Sequence, residues 1–358
     1  KDYVAAIPHL EKAVVDTDQN YDMYSPREKS AAIDALFHLG ECYHLNEEIE
    51  KAEVYYNKFI EVSKKKSELL PVTEVRLVQC IEAKKRMAAP VEVYLKNLDS
   101  PVNTDMPEYS PVISLDGSAL YFTSRRAWEN NETEPYKDPR INQYPEDVYV
   151  SYVDADSNWS QPKKLEFCKP IQNEATIAIS SDERKIYIYE DSTGNGDIYY
   201  TDFYHAKFQD IKLLEVKDIN TKYWETHSMM SQDKETFYFV SDRPGGFGGR
   251  DIYMVKLKDR KGKEDKWGQP INLGPSVNGP GDEDAPFISV DNRTLYFATN
   301  DGRSIGGFDI MRTVLKDDDS WMPAENLGYP FNSTNDDIFY TTTLDGSKGY
   351  MTSFRKDG

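Results

Sequence analysis

The most regular chemistry-bearing groups in this chain are carboxylates. Glu108, Glu174, Glu225 and Glu283 each open a short apolar stretch, and Asp337 opens a fifth. Two carboxylates about 5–9.5 Å apart are the machinery of glycoside cleavage. A catalytic constellation, however, brings different residues together from different segments. These acids recur in one slot of a repeated unit, which predicts a structural ring rather than an acid and a base. A second set, Asp116, Asp182, Asp233, Asp291 and Asp345, closes turns of the form Ser-x-Asp, with Thr343 for Ser in the fifth. There an Asp bonds backbone two residues on, and a following Gly accepts positive φ. A third set, Asp147, Asp197, Asp251 and Asp309, precedes Ile-Tyr or its equivalent and is expected to tie its strand to the preceding glycine-rich turn.

Other candidates are weaker. Asp154-Ala-Asp156-Ser-Asn158 starts like a calcium loop, but Trp159 and Leu165 stand where Gly and Glu belong, so a hairpin turn is expected. Cys42, Cys80 and Cys168 form no CxxC, and the histidines at 9, 38, 44, 205 and 227 pair with none of them. Buried single thiols and structural histidines are expected, with no metal and no cofactor. His227 is read as replacing the Pro of its unit. No GxSxG elbow is present, and the glycines at 245–249 precede a strand rather than the helix a phosphate loop needs. No catalytic residue is assigned.

The elements that would position these groups differ on the two sides of residue 90. Residues 1–89 are rich in Ala, Leu, Glu and Lys and read as helical. Residues 90–358 are rich in Tyr, Gly, Asp, Ser and Pro in short apolar runs and read as many strands. Leu36, Leu39, Gly40, Tyr43, Ala52 and Tyr56 have the spacing of a tetratricopeptide repeat, with small residues where two helices approach closely. Further helices are expected over 3–15 and 74–87. In the second region the turn aspartates recur at intervals of about 50–65 residues, near the period of a propeller blade. The fold class expected is therefore α+β multidomain: tetratricopeptide-like helices, then a β-propeller, five blades by count. Residues 91–95 (VEVYL) are expected to close the ring by pairing in the last blade.

The unit that runs from Glu108 through Ser-x-Asp, Leu-Tyr-Phe and Ser-x-Arg to Asp-Ile-Tyr resembles the TolB-type, WD40-like propeller repeat. The runs 241–253 (SDRPGGFGGRDIY) and 267–278 (WGQPINLGPSVN) are similar to Bacteroidetes envelope proteins of the OmpA family. In that family tetratricopeptide repeats precede such a propeller, and the order matches PorE-like components of the type IX secretion system. The resemblance implies a periplasmic, outer-membrane-associated scaffold, often a lipoprotein, reaching peptidoglycan through a domain this sequence lacks. It carries over no peptidoglycan-binding residue. Lys1 at the start, rather than Met, reads as a trimmed or processed piece.

Composition bounds the partners. Lys plus Arg number 43 against 62 Asp plus Glu, a formal net charge of −19. That disfavours nucleic acid and anionic lipid, which need basic patches. It favours basic protein partners held by salt-sensitive forces. No apolar run is long enough to span a bilayer. Two partner surfaces are expected. One is the face of the helical repeat at Asp34, Phe37, Glu41 and His44. The other is the insertion at 125–146, with Arg125, Trp128, Tyr136 and Tyr144 as anchors. The competing reading is a propeller that binds or cleaves glycans.

Overall fold

The computed structural model describes residues 3–64, 67–127, 136–191, 196–261 and 264–355. The chain divides into two compact units. Among the described residues the first holds four helices: α1 (Tyr3–Ala13), α2 (Asp34–Leu45), α3 (Ile49–Val62) and α4 (Leu69–Met87). The close approach expected at Gly40 is present. A Cβ added there would lie 2.7 Å from two ring carbons of Tyr56, so α2 and α3 meet only because this side chain is a hydrogen. Leu39, Ala52, Tyr56 and Phe59 form the buried seam. α4 begins five residues earlier than the periodicity predicts, since Pro71 falls in its first turn, where a missing N–H costs nothing.

This first unit also takes in Asn300–Asp309 and Asn326–Asp336. Ile305 is fully buried in the helical core. Gln79 Nε2 donates to the carbonyls of Asn300 (2.9 Å) and Asp301 (3.0 Å), and Arg76 Nη1 donates to that of Gly306 (2.5 Å). At the C-terminus of α2, the Leu45 carbonyl accepts from Thr334 Oγ1 and Asn335 Nδ2. The bonds to Leu45 satisfy a carbonyl that the end of α2 would otherwise leave unpaired.

The second unit is built from antiparallel sheets in a propeller-like arrangement. Four sheets of four or five strands start at Glu108–Ile113, Glu174–Ile179, Glu225–Met230 and Glu283–Ile288. A fifth sheet has two strands, Asp337–Thr342 and Gly349–Ser353. The five starting strands contact one another in chain order, and the last lies against the first. Residues 91–95 belong to no strand, so the expected ring-closing pairing is absent; the Val91 amide instead donates to the Tyr329 carbonyl (2.7 Å).

The repeated turns behave as their chemistry requires. Ser114, Ser180, Ser231 and Thr343 each donate to the Asp two residues on, at 2.5–2.7 Å. The next residue is left-handed in all five units: Gly117 (φ 73), Glu183 (φ 56), Lys234 (φ 60), Asn292 (φ 55) and Gly346 (φ 65). The turn therefore keeps its shape in the second unit, where Glu183 replaces glycine. Between the sheets, Phe237, Phe239, Ile252 and Phe297 fill one core, and Val148, Ile186 and Ile188 another.

Candidate functional site

The strand-opening acids are consumed by the fold. Glu108, Glu225 and Glu283 each sit opposite a hydroxyl residue on the neighbouring strand and accept an amide from the loop before it. Glu108 accepts from Ser124 Oγ (2.9 Å) and the Thr104 amide (2.9 Å). Glu225 accepts from Ser241 Oγ (2.7 Å), the Thr221 amide (3.0 Å) and Arg243 (3.0 Å). Glu283 accepts from Thr299 Oγ1 (2.7 Å) and the Gly279 amide (2.9 Å). Asp337 pairs with Arg355 at 2.6 Å. The Asp of Asp-Ile-Tyr is tied to its glycine-rich turn as expected: Asp251 accepts from the amides of Phe247 (2.7 Å) and Gly248 (3.1 Å), and from Asn272 Nδ2 (2.6 Å).

One corner of the first and second sheets breaks the pattern. The register that places Asn272 beside Tyr253 places Lys164 beside Tyr149. Asn220 and Asn278 receive the amides of Ile198 and Ile252, whereas Cys168 Sγ receives that of Val148 (3.2 Å). Opposite Glu174 stands Glu190 instead of a hydroxyl. As a result Asp147, Cys168 and Glu174, all buried, bring their donor atoms within 4.8 Å of one another. Asp147 Oδ1 and Glu174 Oε1 have no hydrogen-bond partner among the described residues. Burial pushes the Glu174 carboxyl up to about 8 and that of Asp147 up to about 6, with Lys164 opposing the latter shift. Sequence reading missed this cluster because its members follow no ligand spacing. The legible signal was the departure of Cys168 and Glu190 from the residue types of their slots.

A narrow cavity of about 40 Å³ is lined by all five starting strands, among them Ile177, His227, Met229, Pro286 and Phe339. That is room for a few waters. Ser228, not His227, holds the register of Pro111, so the reading of His227 as the proline's replacement is corrected. His227 Nδ1 lies 2.6 Å from Asp284 Oδ1, and Arg250 Nη1 lies 2.9 Å from Asp284 Oδ2. Burial alone would raise the Asp284 carboxyl; His227 and Arg250 outweigh it and hold it down at about 2.

The residues expected to bind partners are scattered. Asp34 is exposed and Glu41 half-buried, with Glu41 bonded to His38 (3.0 Å). Phe37 and His44 are not on an open face, because the helical unit's own core covers them. His44 Nε2 donates to the Ile305 carbonyl (2.8 Å), and burial lowers the imidazole to about 4. Arg125 is turned inward to the Tyr144 carbonyl (2.8 Å) and to Glu146. Tyr144 is half-buried beneath Lys137, whereas Tyr136 is 45% exposed. Trp128 lies outside the described residues. Asp154 accepts from the amides of Asp156 and Asn158 (both 2.9 Å), the hairpin turn expected there.

No protein-family model and no curated protein matches this chain. Among solved structures it is similar to a TolB-type protein of Agrobacterium tumefaciens, at 20% identity and a TM-score of 0.43, covering 71% of this chain and 73% of that one. It is also similar to TolB from Acinetobacter baumannii (15%, TM-score 0.40, covering 71% and 53%). A periplasmic gluconolactonase of Pseudomonas aeruginosa aligns as well (9%, TM-score 0.38, covering 70% and 78%). None of these likenesses bears on activity.

Proposed function

We propose that this chain is a non-catalytic scaffold of the bacterial periplasm. In this reading a tetratricopeptide-like helical unit and a five-unit propeller hold outer-membrane proteins, type IX secretion machinery among them. Further domains, as in the OmpA family it resembles, reach the cell wall. One observation carries the reading: the carboxylates of Glu108, Glu225, Glu283 and Asp337 are each engaged by donors of this chain rather than open to a substrate. The acidic charge and the exposed Tyr136 supply what docking needs.

The test is affinity capture of the tagged chain from crosslinked envelopes of its source, read by mass spectrometry. The expected result is outer-membrane secretion components in fixed proportion, reduced by Tyr136→Ala and weakened as salt rises. Recovery of nothing specific, or recovery indifferent to salt, overturns it. A second reading, glycan binding, draws on a cleft of about 470 Å³ that includes Trp159 and Tyr350 beside Asp116, Asp154 and Asp345. A ring of indole and phenol against acids suits sugar faces and hydroxyls. Binding of a cell-wall or dietary sugar that Trp159→Ala abolishes would favour it.

A further inference from the structure

The corner at Asp147, Cys168 and Glu174 is a site with internal controls, because the other sheets carry out the same structural task with different residues. Where Asn278 clamps the third strand by donating to and accepting from Ile252, Cys168 offers a thiol. Where Asn272 donates to Asp251, Lys164 stands instead, and Asp147 keeps an oxygen with no hydrogen-bond partner. Where Ser124, Ser241 and Thr299 donate to a strand-opening Glu, Glu190 faces Glu174. Three neutral donors of the repeat have been exchanged at one corner, for a thiol, a lysine and a carboxylate. Asp147 is 1% exposed, Glu174 0% and Cys168 6%. Burying unpaired carboxylate oxygens is costly unless a cation meets them.

We propose that Asp147, Cys168 and Glu174 bind one divalent cation of borderline softness, of which Zn2+ is the type. The donor set selects the ion. Two carboxylates alone would suit Ca2+ or Mg2+, but those ions take oxygen ligands, and a thiolate excludes them in favour of Zn2+ and its neighbours. Three protein donors leave the fourth tetrahedral position for a water. Bonds of about 2.0–2.3 Å from a central ion set donors roughly 3.5 Å apart. Donors already within 4.8 Å reach that by small side-chain movements. Glu190 faces Glu174, Lys164 stands beside Asp147 and Lys169 lies near Glu174; the ligand protons would leave as the ion binds. This site is independent of the scaffold reading.

The experiment uses the whole chain, stripped with chelator and titrated with Co2+ as a spectroscopic probe, with bound Zn2+ per chain measured separately by elemental analysis. The expected result is one equivalent of either ion and a sulfur-to-cobalt charge-transfer band in the near ultraviolet. Cys168→Ser should abolish the band and weaken binding, because the thiolate is both the source of the band and one of the three protein ligands. Cys168→Asn, which restores the residue of the sister sheets, should do the same and serves as a second variant where serine upsets packing. Glu174→Gln should weaken binding while leaving a residual band. Cys42→Ser, in the other unit, should change nothing. Far-ultraviolet circular dichroism and Tm report that each variant is folded. A folded wild-type chain that takes up no stoichiometric metal overturns the proposal, and so does a band that survives in folded Cys168→Ser or Cys168→Asn.

Discussion

His44 shows how far a side chain's environment lies from its sequence neighbours. Its spacing on α2 put it on the same side as Asp34, Phe37 and Glu41, and that much was legible. What covers that side was not, because Ile305 arrives from 261 residues away. The consequence is a pH dependence with a definite sign. The folded imidazole, neutral and donating through Nε2, titrates at about 4, against about 6.5 in an unfolded chain. Between those values the unfolded state binds more protons. Stability from this group is therefore full above pH 6.5 and is lost as pH falls toward 4, by up to about 3 kcal/mol. Amide exchange in α2 and α4 at pH 7.5 and 4.5 measures it. His44→Gln, with no titrating ring, should lose less between the two pH values; equal losses would remove His44 as the cause.

The repeated strand and turn was the most legible element, and its energetics can be compared sheet against sheet. Glu225 is fully buried and holds Ser241, Thr221 and Arg243. Glu225→Gln breaks a buried ion pair and should cost about 3–5 kcal/mol in urea unfolding. In chelator-treated protein, Glu174→Gln should cost far less, since no donor is lost at Oε1. Equal costs would mean that Glu174 is tethered like its counterparts. The turn makes a second prediction. Glu183 is held at φ 56, a conformation that strains an L side chain by about 1–2 kcal/mol. Glu183→Gly should raise stability by about 1 kcal/mol, read as a higher Tm, because its counterparts Gly117 and Gly346 adopt the same conformation freely.

For the whole molecule, the boundary between helices and strands in sequence is not the boundary in space. Asn300–Asp309 and Asn326–Asp336 belong with the helices. Ile305 is part of their core, so Ile305→Ala should destabilise the helical unit by about 2–5 kcal/mol, the range for truncating a buried aliphatic. Faster amide exchange in α2 to α4 is the expected readout. Unchanged exchange there would show that the helices are stable without this segment.

What the sequence determined by itself was whatever depends on short-range physics. Helical periodicity, the small residue at Gly40 and the Ser-x-Asp turns with their left-handed residue all act within a few residues or across one hairpin. Tertiary structure alone decided the rest. It closed the side of α2 that Phe37 and His44 were expected to leave open, left 91–95 outside any sheet, and gathered Asp147, Cys168 and Glu174 at one corner. Burial and desolvation depend on which distant segment packs against a group, and strand register sets which side chains face each other. Neither is written in the spacing of any one stretch, which is why the same acid at the start of a strand is a tether in one sheet and a candidate ligand in the next.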